Sequence, residues 1–457
     1  MRRLFCFAFA LMSVVASMAQ GSFTINGHID GGLEGMKVYL RYGDVCYDEN
    51  KEVLDSAVLH EGNFVLKGRL SSPVLCTVFF EDPIKCIPPD GSVNSKFQAE
   101  LKSKDRHEKI DKVLSLFVED AILSVQAFYD SLCLKKQFQN HYSEKDNRIL
   151  PAGITGGFGT CRSAVVKGSP SHDLLMRFLN DAANQELFQK RASLVYQAPF
   201  TTGNAARAMD GLMKELKERV LQFVKGHPPG EVTGFILLHM LDEYTCAGSM
   251  PDLLHWTTVD DIKQLTAPFA EMKDKGPIVQ ELLQKVPGIA KGAIGAPFID
   301  FVFRDTSGVQ HALSEYAGKG KYVLVDLWAS WCSGCRNMIP HVKEAYRSYH
   351  SRGLDVISVS IDTKKENWIK AVKKEAMPWP QLAANLMSDA ELKKGGKLAE
   401  YKESLSPDDG NMLGVYMSPG VPLYLLFDPK GQLVSRFSLI PFIDKPLADL
   451  YGAPFPK

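Results

Sequence analysis

The sequence has no excess of either charge. It contains 53 basic and 53 acidic residues among 457, so its formal net charge at pH 7 is zero. A surface that tracks nucleic acid or binds an anionic membrane needs a surplus of basic residues, which this composition does not supply. We therefore expect neither nucleic acid nor an anionic lipid surface as a partner. The length is sufficient for two or three domains, and an apolar share of 45% is ordinary for globular protein.

Long apolar runs are lacking except at the N-terminus. Residues 4–15 are almost wholly apolar, Arg2 and Arg3 precede them, and small residues at Ser17 and Ala19 follow. This pattern is typical of an export signal, and we predict a signal peptide over residues 1–19 with cleavage after Ala19. The apolar core is shorter than the roughly 18 residues of a membrane span. A retained membrane anchor is the alternative.

Cysteine is scarce, and only two of the nine cysteines form a close pair. One lies inside the predicted signal, and six others have irregular spacings: Cys46, Cys76, Cys86, Cys133, Cys161 and Cys246. In an exported protein these six could be buried small hydrophobes or could form structural disulfides, and the spacing does not decide between the two. The remaining pair is Cys332 and Cys335. A zinc site would need about four ligands, and no second pair or His/Cys set accompanies these two.

The period of the apolar residues divides the chain into three parts. Residues 22–95 show short alternating runs separated by glycines, which predicts a small antiparallel β N-terminal domain. From 97 to 290 the spacing is helical, notably over 110–125 and 209–224, which predicts a helical middle region. A glycine-rich loop at 151–160 lacks the Lys-Ser or Lys-Thr of a phosphate-binding loop.

The third part, residues 292–457, alternates between strand and helix. A hairpin is predicted around the turn at 305–308, an apolar strand covers 322–328, and a helix begins at Cys332. A second buried strand is predicted over 354–361. This alternation indicates a central sheet flanked by helices, and therefore an α/β domain.

The cysteine pair lies where a buried strand ends and a helix begins. Unpaired N–H groups and the helix dipole favour a thiolate at this position, so Cys332 is the predicted nucleophile. Cys335, one turn further, is placed to resolve a mixed disulfide, and Arg336 adds positive charge. Covalent attachment of haem would need histidine in place of Arg336. A purely structural disulfide is the other alternative, but the loop that this pair closes is too short to constrain much of the chain. We predict a redox-active Cys332–Cys335 disulfide, with no cofactor and no metal.

The sequence around the pair resembles a known family. Residues 323–336, VLVDLWASWCSGCR, with Pro340 shortly after, are similar to the active-site segment of thioredoxin-fold proteins. The closest likeness is to the exported TlpA/ResA-like thiol-disulfide oxidoreductases, whose lead-in resembles Gly295-Ala296-Pro297-Phe298 and the hairpin after it. The resemblance covers roughly the last 165 residues and implies a thioredoxin-like C-terminal domain. The strand-rich and helical extension before it resembles regions fused to such domains in some Gram-negative bacteria, for which no activity is implied.

This resemblance implies a role for each matching residue. Cys332 would be the attacking thiolate and Cys335 the resolving thiol, while Trp331 would shield the site and shape the contact surface. Asp326, six residues before Cys332, matches a buried carboxylate that exchanges protons with the second cysteine. Burial raises a carboxyl pKa, which suits the group to accept a proton near neutral pH. A solvated residue at the edge of the strand is the alternative for Asp326.

The resemblance also implies a site around Pro422. This proline matches one whose preceding peptide bond is cis, which would bring the Val421 backbone beside the cysteines to pair with a substrate strand. A trans proline at the start of a strand is the alternative. Ser333 and Gly334 stand where many relatives carry glycine and proline, and Leu423 stands where threonine is common. We expect the looser first helical turn to make this pair a weaker reductant than thioredoxin, whose potential is about −270 mV.

The combined expectation is an exported enzyme, a thiol-disulfide oxidoreductase that reduces or exchanges disulfides in periplasmic proteins. Its partners would be periplasmic disulfide-containing proteins and a membrane electron donor, and its location the periplasm, with envelope association as the alternative. Two other functions stay open. One is a thioredoxin-fold peroxidase of peroxiredoxin type, and the other is a non-catalytic binding or redox-sensing protein.

Overall fold

The computed structural model describes residues 21–32, 34–43, 53–81, 112–128, 133–134, 164–197, 203–241, 253, 256–384, 412–416, 420–437 and 444–451. The predicted signal peptide and the glycine-rich loop lie outside the described residues. So does nearly all of 385–415, for which the sequence indicates a helical insertion. Within the described part of the chain, no helix is long and apolar enough to cross a membrane.

Two sheets form the N-terminal part. The strands are β1 Gly21–Asp30, β2 Lys37–Tyr42, β3 Val53–Val58, β4 Asn63–Leu70, β5 Val74–Glu81, β6 Lys112–Val118, β7 Ile122–Phe128, β8 Cys133–Leu134 and β9 Val165–Lys167. A five-stranded antiparallel sheet has the order β3-β2-β5-β6-β8, and a four-stranded sheet has the order β4-β1-β7-β9. Buried apolar residues of both sheets meet in one core that includes Phe23, Val38 and Phe80.

The helix predicted over 110–125 is wrong, because these residues form β6 and β7. All residues from Leu114 to Val118 are buried in β6, and a continuous apolar run of this length fits a buried strand as well as a helix. In β7 the buried residues alternate with exposed ones, as a strand requires. β7 also pairs in parallel with β1, so the four-stranded sheet is mixed rather than purely antiparallel.

Six helices follow from residue 170 onward in the described residues before the third part. They are α1 Pro170–Asn180, α2 Ala182–Gln197, α3 Gly203–Gly226, α4 Glu231–Leu241, α5 Val259–Ala270 and α6 Pro277–Lys291. α4 is buried along its whole length. Its Phe235 contacts Phe117 of β6 edge to face, with ring centroids 5.8 Å apart. The predicted helical middle region therefore packs on the five-stranded sheet.

The elements of the third part are β10 Val302–Asp305, β11 Gln310–Ala312, β12 Tyr322–Trp328, α7 Ser333–Tyr349, β13 Leu354–Ser360, α8 Lys365–Glu375, β14 Gln381–Ala383, α9 Met412–Val415, β15 Leu423–Phe427, β16 Leu433–Phe437 and α10 Asp444–Tyr451. The strands form a seven-stranded sheet in the order β11-β10-β14-β13-β12-β15-β16. Its centre, β14, β13 and β12, is parallel, and its flanking pairs are antiparallel. The thioredoxin-like α/β domain with its leading hairpin is confirmed.

The lead-in segment joins the helices to this sheet. The N–H of Gly295 donates to Leu433 O at 2.7 Å, and the N–H of Leu433 donates to Ala296 O at 2.8 Å, so the segment pairs with edge strand β16. On its other side, the N–H of Val259 donates to Ile294 O at 2.9 Å. Residues 294–296 therefore cover an edge that would otherwise expose unpaired backbone groups, and they anchor α5 to it.

Candidate active site

The two cysteines lie at the N-terminus of α7 and form a disulfide. Cys332 is the N-cap residue, and its Sγ accepts a hydrogen bond of 3.0 Å from the backbone N–H of Cys335. Cys332 retains 8% of its surface and Cys335 only 1%, so an approaching group meets Cys332 first. The helix begins at the residues that the sequence predicts, and the difference in exposure agrees with the predicted order of attack.

The Val421–Pro422 segment lies against this helical turn. The Val421–Pro422 peptide bond is cis, as the resemblance implies. The carbonyl oxygen of Val421 is 3.6 Å from Cys332 Sγ. A Cβ on Gly334 would lie 3.9 Å from Pro422 Cδ, which is ordinary contact. The structure therefore brings Val421 and Pro422 together with the cysteine pair.

Asp326 is buried in β12, so the alternative of a solvated residue is wrong. Its carboxylate accepts a hydrogen bond of 2.7 Å from Ser358 Oγ on the neighbouring strand β13. Ser358 in turn accepts a hydrogen bond of 2.8 Å from Trp379 Nε1. Burial raises the pKa of Asp326 to about 7, although the Ser358 hydrogen bond opposes this rise. The group can therefore gain or lose a proton near neutral pH.

Sequence reasoning missed Ser358 and Trp379. The ring of Trp379 lies 5.3 Å from that of Tyr346 on α7, and α7 also packs on β13. The hydrogen-bonded group of Asp326, Ser358 and Trp379 therefore lies between the sheet and the helix that carries Cys335. A serine between Ile357 and Val359 of a buried strand was the available signal, since a buried hydroxyl needs a partner.

Asp362 is a second buried carboxylate that the sequence reasoning missed. It accepts hydrogen bonds from the backbone N–H of Ser330 at 2.8 Å and from the Ser330 hydroxyl at 2.6 Å. The Ser360 hydroxyl also donates to it, at 2.6 Å. These bonds hold the turn that leads into Trp331, whose side chain is 62% exposed beside the disulfide. The exposed indole forms part of the outer surface of the site.

Arg336 has a different environment from the one expected. Its Nε donates to Glu375 Oε1 at 2.9 Å, which joins α7 to the end of α8. The positive charge of Arg336 is therefore paired with Glu375 and is not available to stabilise a Cys332 thiolate. Stabilisation of a Cys332 thiolate falls instead to the backbone N–H groups of the first turn of α7.

The remaining cysteines take no part in this site where the structure describes them. Cys76 is free and buried in the N-terminal core, so of the two alternatives left open by the sequence it is the buried small hydrophobe. Burial raises the pKa of its thiol, which makes it unreactive. The side chains of the other six, including Cys6 in the predicted signal peptide, lie outside the described residues. Among the described residues, no group of three or more His, Cys, Asp or Glu side chains could hold a metal ion.

Comparison with known proteins divides the chain in the same way. Residues 294–440 match the AhpC/TSA family. Residues 23–175 match a domain of unknown function, DUF4369, and this stretch contains most of β1 and all of β2 to β9. Neither match covers half of the chain.

Curated relatives are named thiol-disulfide oxidoreductase ResA. The protein from Geobacillus thermodenitrificans is 32% identical over 88 residues, which are 19% of this chain and 49% of the relative. The protein from Bacillus cereus strain ZK / E33L is 25% identical over 146 residues, which are 32% of this chain and 70% of the relative. The chain thus spans about half the length of the first curated relatives it matches. The predicted TlpA/ResA-like character of the C-terminal domain is confirmed.

Solved structures with a similar fold cover about a third of the chain. The thioredoxin domain of a thiol-disulfide oxidoreductase from Bacteroides vulgatus has 25% identity and a TM-score of 0.27, and it covers 34% of this chain and 97% of that one. The C-terminal domain of a putative thiol-disulfide oxidoreductase from Bacteroides thetaiotaomicron has 20% identity and a TM-score of 0.27, with coverages of 35% and 97%.

Proposed function

We propose that this protein is an exported thiol-disulfide oxidoreductase whose Cys332–Cys335 pair reduces or exchanges disulfides in periplasmic proteins. The observation that carries the proposal is the disulfide at the N-terminus of α7, with Cys332 at the surface and Cys335 buried behind it. A catalytic dithiol needs one accessible sulfur to attack and a second to release the product. The names of the curated relatives support the same chemistry. The reaction needs no cofactor beyond the pair itself.

In the first step, the thiolate of reduced Cys332 attacks one sulfur of a substrate disulfide. A bond forms between Cys332 Sγ and that sulfur, the substrate S–S bond breaks, and the departing thiolate takes a proton from water. The N–H of Cys335, 3.0 Å from Cys332 Sγ in the oxidised state, stabilises the thiolate before attack. Trp331 and the Val421 backbone form the surface that receives the substrate segment.

In the second step, Cys335 releases the substrate. Asp326 accepts the proton of the Cys335 thiol, and the new thiolate attacks Cys332 Sγ. The mixed disulfide breaks, the second substrate thiolate leaves and takes a proton, and two electrons have passed from the pair to the substrate. A pKa of about 7 allows Asp326 to accept this proton at neutral pH. A dithiol donor, which we place in the membrane, then reduces the pair again.

The proposed location rests on the N-terminal sequence. Residues 1–19 have the charge and apolar pattern of an export signal. An oxidising compartment contains the disulfide-bonded proteins on which this chemistry would act. Fractionation of cells that express the full chain tests the location; recovery in the cytoplasm with residues 1–19 intact would rule it out.

Reduction of a disulfide-bonded protein such as insulin, with dithiothreitol as electron donor, tests the activity. We expect the full chain to accelerate reduction and Cys332→Ser to abolish the acceleration. Cys335→Ser should accumulate a mixed disulfide through Cys332. Cys76→Ala, which removes a buried cysteine far from the pair in sequence, is the control and should retain activity. Equal activity in Cys332→Ser and wild type would refute the proposal.

Consumption of hydrogen peroxide tests the peroxidase alternative. A peroxidase would need a threonine and a proline upstream of a single reactive cysteine, and this site has a pair instead. We expect consumption no faster than that of the Cys332→Ser variant. A rate of peroxide consumption that depends on Cys332 and exceeds the rate of insulin reduction would favour the peroxidase. If the protein neither reduces insulin nor consumes hydrogen peroxide, a binding or redox-sensing role is favoured.

A further inference from the structure

The hydrogen bonds around Asp326 form a chain in which each donor points towards the carboxylate. Trp379 Nε1 donates to Ser358 Oγ at 2.8 Å, and Ser358 Oγ lies 2.7 Å from Asp326 Oδ2. An indole N–H can only donate. It therefore occupies a lone pair of the Ser358 hydroxyl and leaves the hydroxyl hydrogen free to point at the carboxylate. Among the described residues, the other polar contact of Ser358 Oγ is a weak one of 3.8 Å to Met377 Sδ.

All three groups are shielded from water. Ser358 and Asp326 are buried in paired positions of the parallel strands β13 and β12, and Trp379 covers them from the segment before β14. In such surroundings a hydrogen bond to an ionised carboxylate is stronger than in water, because little solvent competes with it. A donor fixed on Asp326 therefore favours its ionised form, and burial favours its neutral form.

We propose that Trp379 and Ser358 are positioning residues that hold a hydrogen bond donor on Asp326 and so set the pH range in which it accepts the Cys335 proton. The second part of this inference rests on the proposed function, whereas the first concerns the titration of Asp326 alone. Without the donor, Asp326 would stay protonated at neutral pH and could not take up a proton. Trp379 acts through Ser358, since its indole fixes which way the hydroxyl donates.

Other titratable groups around Asp326 do not replace this role. Tyr424 is paired with Asp326 on the neighbouring strand β15, but burial and the nearby carboxyl group raise the pKa of Tyr424 well above its usual value. Cys335 of α7 titrates only when the disulfide is reduced. In the oxidised protein, a titration near pH 7 in this space therefore belongs to Asp326.

The test is an infrared titration of the oxidised full chain from pH 5 to 9, in which Asp326→Asn identifies the carboxyl band. We expect Ser358→Ala to lower the acid dissociation constant of Asp326 about tenfold, because a hydrogen bond to a charged group is lost. Trp379→Phe, which keeps a ring but loses the N–H, should shift it in the same direction by a smaller factor. Ser115→Ala is the matched control, since this buried serine pairs with Thr77 in the N-terminal sheet.

The outcomes separate this inference from the proposed function. An unchanged or higher dissociation constant in Ser358→Ala would overturn it. An unchanged constant in Trp379→Phe alongside a shift in Ser358→Ala would overturn the role of Trp379. The titration needs no substrate, so shifts as expected in a chain that fails to reduce insulin would uphold the network and refute the oxidoreductase. If insulin is reduced, the pH of half-maximal rate should rise in both variants and stay unchanged in Ser115→Ala.

Discussion

The backbone N–H of Cys335 points at the sulfur of Cys332 over 3.0 Å. Cys332 is the N-cap residue of α7 and Cys335 lies in its first turn, where N–H groups lack partners within the helix. This donor is available whether the sulfur is in a disulfide or is a thiolate. Its geometry therefore gives the attacking sulfur a built-in stabilising contact.

We predict that the Cys332 thiol has a pKa below the usual value of about 8.5. The helix N-terminus stabilises the thiolate, and Arg336 contributes little because it is paired with Glu375. Alkylation of the reduced Cys335→Ser variant by iodoacetamide as a function of pH measures the value. Arg336→Gln should leave it nearly unchanged. A pKa at or above 8.5 in the first variant would contradict the assignment of Cys332 as the nucleophile.

A second prediction concerns stability and pH. The folded-state pKa of Asp326 is about 7, above its ordinary value of 3.8. Below about pH 4 the Asp326 carboxyl group is protonated in both the folded and the unfolded state, so its ionisation does not affect the free energy of unfolding. As the pH rises towards 7 only the unfolded state ionises, so the free energy of unfolding falls. The difference amounts to about 4 kcal/mol at neutral pH. Asp326→Asn should remove this fall and be more stable than wild type at pH 7 in urea unfolding.

The opposite result would contradict this prediction. If Asp326 made the C-terminal domain more stable as the pH rises from 4 to 7, its carboxylate would be ionised and paired in the folded protein. The comparison that isolates this effect is the difference between wild type and Asp326→Asn at each pH. Other carboxyl groups contribute equally to both proteins and cancel in that difference. The same variant should also reduce insulin about a hundredfold or more slowly, which is typical of a lost proton acceptor.

Trp331 provides a third prediction. Its indole is 62% exposed beside the disulfide, so it can contact a substrate but adds little to the core. Trp331→Ala should raise KM for a protein substrate several-fold and leave the reduction potential of the pair almost unchanged. Val58→Ala, which removes a side chain with 58% exposure from β3, is the control and should leave KM unchanged. An unaltered KM in Trp331→Ala would exclude this surface from substrate binding.

A fourth prediction concerns Gly334. Proline is tolerated in the first turn of a helix, and a Cβ at this position would meet Pro422 only at ordinary contact distance. Gly334→Pro should stiffen the turn and make the pair more reducing, by about 30 mV or more, which corresponds to about 1.4 kcal/mol. Equilibration with glutathione measures the change. A less reducing Gly334→Pro pair would show that the flexibility of this turn does not account for the potential.

The strands and helices of the C-terminal domain could be predicted because local patterns and tertiary packing agree there. The run from Tyr322 to Trp328 is apolar apart from Asp326 and forms the central strand β12. Residues 110–125 were mistaken for a helix because their apolar positions fit a period of 3.6 as well as a buried strand followed by an alternating one. Only pairing with β5 and β1 selects the strands, and pairing over such distances in sequence is not encoded locally.

The parts of the site that lie within short sequence motifs could be predicted. The parts that depend on contacts between residues distant in sequence could not. The disulfide and the cis bond before Pro422 were found from short segments. Ser358 and Trp379 reach Asp326 from separate elements, and Asp362 reaches Ser330 across 32 positions. Their roles depend on the register of β13 against β12, which the sequence alone does not specify.

The central claim is that the Cys332–Cys335 disulfide is redox-active rather than a structural link. Equilibration of the full chain in glutathione buffers of graded potential, followed by alkylation and peptide mapping, tests it most directly. We predict a single two-electron transition at Cys332 and Cys335 with a midpoint above about −270 mV, the value of thioredoxin. A pair that stays oxidised at all glutathione potentials, with a midpoint below about −300 mV as in structural disulfides, would contradict the account.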